Sequence, residues 1–182
     1  MVHRHAGKKS HLNKKKVVSS LNLKKEDVFL DLGCSDGYIS VEASKYCRKV
    51  FALDYHKESI EKLKKTIKEK KIPNIIPVHA DASKKIPVDQ KLDIALLSNV
   101  IHGFVENNEF DHVIKNLVKI PCKKIYAVEF KKGFFNFGPP DEVKLSSLEL
   151  ETVFKKYGFL PEIKENMGKY HYGIMFSQKN EP

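Results

Sequence analysis

Residues Val28-Phe29-Leu30-Asp31-Leu32-Gly33-Cys34-Ser35-Asp36-Gly37-Tyr38 constrain the fold more than any other stretch of this chain: an apolar run, an acid, a turn with two glycines, then a helix-like segment. An apolar run of this length bounded by glycine reads as a buried strand of a parallel sheet. A glycine turn at its carboxyl end lets backbone N–H groups and a helix start approach a nucleotide-type ligand. The spacing excludes two such ligands. A dinucleotide loop needs G-x-G-x-x-G, but counting from Gly33 the third and sixth positions are Ser35 and Tyr38. A phosphate loop needs G-x-x-x-x-G-K-[ST], and Gly7-Lys8-Lys9-Ser10 has no glycine at the upstream position and follows no strand. What remains is D-x-G-x-x-x-G, followed by the apolar run Val50-Phe51-Ala52-Leu53 that ends in Asp54, 21 residues after Gly33. A carboxylate there can accept both hydroxyls of a ribose.

The rest of the chain alternates between strand and helix signals. Residues 57 to 71 place Ile60, Leu63 and Ile67 on one face, with Glu58 to Lys62 and Glu61 to Lys65 expected as pairs on the other. A third strand, about Ile75 to His79, contains Pro77; proline lacks a ladder donor, so this strand belongs at a sheet edge. A fourth strand spans about Leu92 to Leu97, and Phe110, Val113, Ile114, Leu117 and Val118 recur at helical spacing. A fifth strand, about Lys124 to Phe130, runs into a glycine and proline loop from Gly133 to Pro140. Ser146 and Glu149 form a capping-box pattern before a helix whose buried face is Leu150, Val153, Phe154 and Tyr157 and whose cap is Gly158. Two last strands, about Phe159 to Lys164 and Tyr170 to Ser177, flank Met167-Gly168 as a hairpin. Alternating units followed by one hairpin give an α/β fold with a parallel sheet and an antiparallel end strand.

Composition suits one soluble domain: 182 residues can bury a continuous core. No apolar run reaches the length of a membrane span and the N-terminus lacks a signal peptide's apolar core, so the expected location is the cytoplasm, with no membrane partner. Three scattered cysteines, Cys34, Cys47 and Cys122, include no C-x-x-C pair and argue against a disulfide framework or structural zinc, and the histidines lack metal-ligand spacing. The net charge of +10 is uneven: residues 1–25 hold eight basic residues and no acid. This arm suits phosphate backbones or acidic partners, or a solvated tail. Its reach is set against bidentate recognition, because Arg4 and Arg48 are the sole arginines among 33 basic residues.

On Asp31, Gly33 and Gly37, Asp54, and Asp81-Ala82 after strand three, the chain resembles the class I S-adenosylmethionine (SAM) dependent methyltransferases, with residues 28 to 178 covered. The resemblance implies a single Rossmann-like domain over residues 26–182 behind the arm of residues 1–25. It implies a seven-stranded, mostly parallel sheet of order 3-2-1-4-5-7-6 with the last strand antiparallel and helices on both faces. In that family the glycine loop holds the methionine end of SAM, here Gly33, Cys34, Ser35 and Gly37 together with Asp31. Asp54 then binds the ribose, Asp81 and Ala82 meet the adenine, and Tyr55 covers it, with His56 either beside it or starting a helix. Ser35 stands where the family usually has glycine, which removes backbone freedom.

Ligands of such sheets bind outside the carboxyl ends of the strands, which places Ser98 and Asn99 near the cofactor and His102 and Glu129 near the methyl acceptor. His102 suits a general base, because histidine takes a proton near neutral pH; a structural histidine capping the turn Asn99-Val100-Ile101-His102-Gly103 fits equally. Phe134-Phe135-Asn136-Phe137 is expected to line a substrate pocket, form a lid or pack over the sheet edge. His11 and Asn13, with His3 and His5, are candidates to fold over the cofactor; Tyr170, His171 and Tyr172 either point to substrate or alternate between core and solvent. Ser98 to His102 lacks the Asn/Asp-Pro-Pro-Tyr pattern of amino methyltransferases and looks like the Asn-Val-Leu-His pattern of the quinone-biosynthesis and arsenite types. The implied acceptor is a small molecule, though arsenite itself would need clustered thiols. An RNA or protein acceptor using the basic arm, and a non-catalytic SAM-binding module, are the alternatives.

Overall fold

A computed structural model of the chain describes residues 12–133 and 138–178. His3, His5, His11 and the run Phe134 to Phe137 lie outside the described residues. Strands β1 (Val28–Leu32), β2 (Lys49–Asp54), β3 (Ile75–His79), β4 (Leu92–Ser98), β5 (Cys122–Phe130), β6 (Phe159–Asn166) and β7 (His171–Gln178) form one sheet of order β3-β2-β1-β4-β5-β7-β6. β1 to β5 pair in parallel, and β7 is antiparallel to both β5 and β6. The expected sheet order is thus the observed one.

Helices α1 (Lys14–Leu21), α2 (Ser40–Ala43) and α3 (Lys57–Lys70) cover one face, and α4 (Ile101–Glu106), α5 (Phe110–Leu117) and α6 (Ser147–Lys155) the other. Successive side chains of a strand point to opposite faces, and helices cover both, which explains why the central strands are mostly apolar and buried. Val28, Leu30 and Leu32 pack with Leu97, Ile101, Val113 and Leu117, while Phe29 packs with Val17, Leu21, Ala52 and Leu63 on the opposite face. Burying a side chain such as Leu63 on α3 or Phe154 on α6 contributes about 1.5–3 kcal/mol each. Helix α1 belongs to this core: Val17, Val18 and Leu21 are buried. Among the described residues, no helix is long and apolar enough to cross a membrane.

Local signals account for the element ends. Pro77 stands opposite Ala52 on β3, which bonds to β2 alone, so the missing N–H breaks no ladder. The Ser146–Glu149 capping box starts α6, with Leu150 and Phe154 buried and Val153 and Tyr157 half-buried. Asn13 is occupied as the cap of α1, its side chain accepting from the Lys15 and Lys16 N–H groups. On α3, Ile60 and Leu63 are buried, but the charge pairs differ from expectation: Glu61 bonds Lys64 and Lys65 pairs with Glu69. Positions three and four residues apart are both neighbours on a helix, so spacing alone does not choose between them.

Candidate functional site

The carboxyl ends of β1, β2, β4 and β5 meet where the chain leaves the middle of the sheet. After β1 the backbone takes left-handed conformations at Gly33 (φ 80°), Ser35 (φ 51°) and Gly37 (φ 85°). The first and last are places for glycine: an added Cβ would stand 2.6 Å from Val100 Cγ2 at Gly33 and 2.4 Å from Leu63 Cδ1 at Gly37. Ser35 takes the same kind of backbone shape without being a glycine, so the substitution keeps the turn at the cost of about 1–2 kcal/mol. The Gly33 and Cys34 N–H groups donate to the Leu53 carbonyl, at 2.8 and 3.0 Å, and the Ser35 N–H donates to Asp54 Oδ2 at 2.8 Å. These three amides are spent on β2, which agrees with the absence of a phosphate fingerprint in the sequence.

Asp54 closes this turn from the end of β2. Its Oδ1 accepts the His56 N–H at 2.8 Å, so each carboxylate oxygen is held by one amide and keeps a further lone pair for a ligand hydroxyl. Asp31 lies deeper, 2% exposed, and accepts from the Ser40 hydroxyl at 2.6 Å. Burial pushes its carboxyl up to about 6; the Ser40 bond opposes this and the charge of Asp54 adds to it. Asp31 therefore braces the loop and α2 from beneath. Ser40 had no signature in the sequence, since neither its spacing nor its neighbours mark it. Cys34 is buried, and burial raises its thiol far above the ordinary range, so it is an inert packing group beside the loop.

Beyond Asp54, Tyr55 is 55% exposed and its ring lies 3.8 Å from that of His56, which precedes α3. The Tyr55 carbonyl lies 3.0 Å from His79 Nε2. Past β3, Asp81 Oδ1 accepts from the Ser83 N–H and hydroxyl, and Lys84 pairs with Oδ2. Partial burial raises its carboxyl, yet these bonds outweigh it and the net direction is down. The Ala82 carbonyl is fastened to α5 by Asn116 at 3.0 Å.

The remaining candidates converge after β4. Ser98 ends that strand opposite Val128, and Asn99 turns left-handed (φ 54°), its N–H donating to the Val128 carbonyl at 2.9 Å. The Asn99 side-chain oxygen is buried and has no hydrogen-bond partner among the described residues. Val100 then fills the space over Gly33. Glu129 is the last residue but one of β5, which ends at Phe130 as expected. Its Oε1 accepts the Ile101 N–H at 2.7 Å and its Oε2 lies 3.0 Å from His102 Nδ1. His171, 1% exposed, lies tilted against Phe130, whose ring meets His102 edge-on, while Tyr172 is tied to the Leu145 carbonyl at 2.7 Å. His171 and Tyr172 thus form the floor behind the dyad. Lys169 stands over the Tyr170 ring, 5.3 Å from its centroid.

One electrostatic fact unites the site. Asp31, Asp54 and Glu129 are 2%, 6% and 2% exposed, and among the described residues no lysine or arginine is ion-paired with them; besides backbone N–H groups, Glu129 meets His102. A strongly basic chain has collected buried negative charge at one end of its sheet. Such a site complements a cation. Among the described residues no group of three His, Cys, Asp or Glu side chains is placed to hold a metal ion.

Comparison with known proteins bears on the fold and the family. A family described as "Methyltransferase domain" matches residues 29–121. The chain is 32% identical over 147 residues to a Methanococcus vannielii protein named a probable cobalt-precorrin-6B C(15)-methyltransferase (decarboxylating), covering 78% of this chain and 74% of that one. It is 30% identical over 124 residues to a protein of the same name from Methanocaldococcus jannaschii, covering 65% and 67%. Its fold is similar to that of a SAM dependent methyltransferase from Aquifex aeolicus, with a TM-score of 0.77 at 22% identity over 91% of this chain and 89% of that one.

Proposed function

Because the chain belongs to the family of methyltransferase domains, we propose that it moves a methyl group from SAM to a small-molecule acceptor, with His102 as the base that removes the acceptor's proton. The observation that carries the cofactor reading is the buried acidic trio Asp31, Asp54 and Glu129, which among the described residues is not ion-paired with lysine or arginine. SAM is cationic at its sulfonium and ammonium groups and brings a ribose with two hydroxyls. The residues present fit that description: Gly33 and Gly37 leave room at the turn, Asp54 holds lone pairs for the hydroxyls, and Tyr55, Asp81 and Ala82 line the way to an adenine. Asp31, Cys34 and Ser35 shape the loop, and Ser98 and Asn99 complete the cofactor side.

When bound, SAM supplies a methyl group on a positively charged sulfur, a good electrophile with a neutral thioether as leaving group. The chain's own contribution is alignment of the two reactants and exclusion of water. Glu129 accepts the Nδ1–H of His102, which leaves Nε2 free to take a proton from the acceptor and keeps the resulting imidazolium beside a carboxylate. The two relatives compared above are named for cobalt-precorrin-6B, which supports a small-molecule acceptor here.

Calorimetric titration with S-adenosylhomocysteine (SAH) tests the cofactor reading. Binding that weakens at least about tenfold in Asp54→Ala supports it; no heat with the unsubstituted chain sinks it. A second reading, an RNA acceptor, rests on Lys14 of the basic segment, whose Nζ stands 4.6 Å from the ring centroid of Tyr38, next to the glycine loop. It predicts binding of single-stranded RNA that falls steeply with salt.

A further inference from the structure

We propose that Gly103 makes room for the methyl acceptor, so that the acceptor lies against bare backbone beside His102 and the size of residue 103 sets what can enter. The assignment rests on the reading of His102 as the base and adds to it where the acceptor's bulk goes. Gly103 is the third residue of α4, and glycine inside a helix is unfavourable relative to alanine. Nothing among the described residues repays that. Gly33, Gly37, Gly133, Gly138, Gly158 and Gly168 all take a positive φ, where glycine is favoured, and a side chain at Gly173 would strike Tyr126. Gly103 has neither reason: it is helical, half-buried, and no described atom lies within 4 Å of where its Cβ would stand. A half-buried backbone with open space before it borders a recess.

Helix geometry says which recess. The Gly103 N–H donates to the Val100 carbonyl at 3.1 Å, closing the first turn of α4, and residues three apart lie on the same side of a helix. Val100 points at the glycine loop, since its Cγ2 occupies the place over Gly33. Gly103 therefore bares the same side one turn further along α4, next in the chain to His102. Local sequence rules give way at functional sites, and here the break stands beside the proposed base.

The competing explanation is that residue 103 only faces solvent. Gly103→Ala and Gly103→Leu separate the two, since both bring in good helix formers of increasing size. Three quantities are measured on the unsubstituted chain and both variants: the urea midpoint, SAH affinity by calorimetry, and transfer of labelled methyl from SAM to the small-molecule fraction of a cell extract. The expected result is a higher midpoint for Gly103→Ala at unchanged slope, SAH affinity unchanged in both variants, and transfer reduced at least about tenfold in Gly103→Ala and further in Gly103→Leu. Equal transfer by all three proteins overturns the assignment. So does a lower midpoint for Gly103→Ala, which would give the recess to the protein's own packing, or a loss of SAH affinity as large as the loss of transfer, which would give it to the cofactor. If the unsubstituted chain binds SAH but labels nothing in that fraction, the small-molecule reading falls and the assignment with it; if it binds no SAH, the cofactor reading falls as well.

Discussion

His102 Nδ1 lies 3.0 Å from Glu129 Oε2, while the other oxygen of the same carboxylate takes the Ile101 N–H at 2.7 Å. One buried acid thus anchors the start of α4 and orients the histidine that α4 carries. The two side chains are 27 residues apart in the chain and meet because β4 and β5 are neighbours in register, Ser98 against Val128.

His102→Ala should lower the rate of methyl transfer about 10²- to 10⁴-fold while leaving SAH affinity intact. Glu129→Gln should lower it at least about tenfold, by allowing the wrong tautomer. The measurement is transfer of labelled methyl from SAM to the small-molecule fraction of a cell extract. Full activity in His102→Ala would reduce this histidine to a helix-start contact.

Ser35→Gly should stabilise the fold, because the left-handed strain of about 1–2 kcal/mol outweighs the extra freedom glycine has when unfolded, about 0.5–1 kcal/mol. A rise in the urea midpoint at unchanged slope checks it. A lower midpoint would mean that the serine side chain makes a contribution larger than the strain.

Gly33→Ala and Gly37→Ala should each destabilise by about 1–3 kcal/mol, since both combine a left-handed backbone with a Cβ placed against Val100 or Leu63. Their effects on ligand should differ. Moving Val100 disturbs Asn99 and weakens SAH binding, whereas moving Leu63 strains the packing of α3. Calorimetry and denaturation on both variants separate the two outcomes.

Asp31 predicts a pH dependence of stability. Burial raises its carboxyl from 3.8 to about 6, so the native chain holds this proton more tightly than the unfolded one. The resulting stabilisation is fully present below about pH 4 and is lost as pH rises through about 6. Denaturation midpoints of Asp31→Asn across this window should lack that decline, a difference of up to about 3 kcal/mol. Parallel pH profiles for the two proteins would contradict it.

Much of this was legible in the amino-acid order because the signals are local. Pro77 marks an edge strand by what its own nitrogen lacks, Ser146 and Glu149 cap α6 three residues apart, and the spacing after Gly33 rules out phosphate loops before any fold is known. Asp54 could be expected beside that turn because one strand, one turn and the next strand place it there. The charge pairs of α3 were less legible, since Glu61 has partners at two spacings and solvent decides little between them.

By itself, then, the sequence determined the alternating elements, the edge at β3 and the kind of ligand the first turn can hold, since each depends on residues near one another in the chain. Only the tertiary structure decided that Ser35 adopts a glycine's conformation, that Asp31 is braced by Ser40, that Glu129 grips His102 and that the Asn99 oxygen has no partner among the described residues. These depend on strand register and on burial, which bring distant groups within hydrogen-bond reach and remove the water that would otherwise satisfy them.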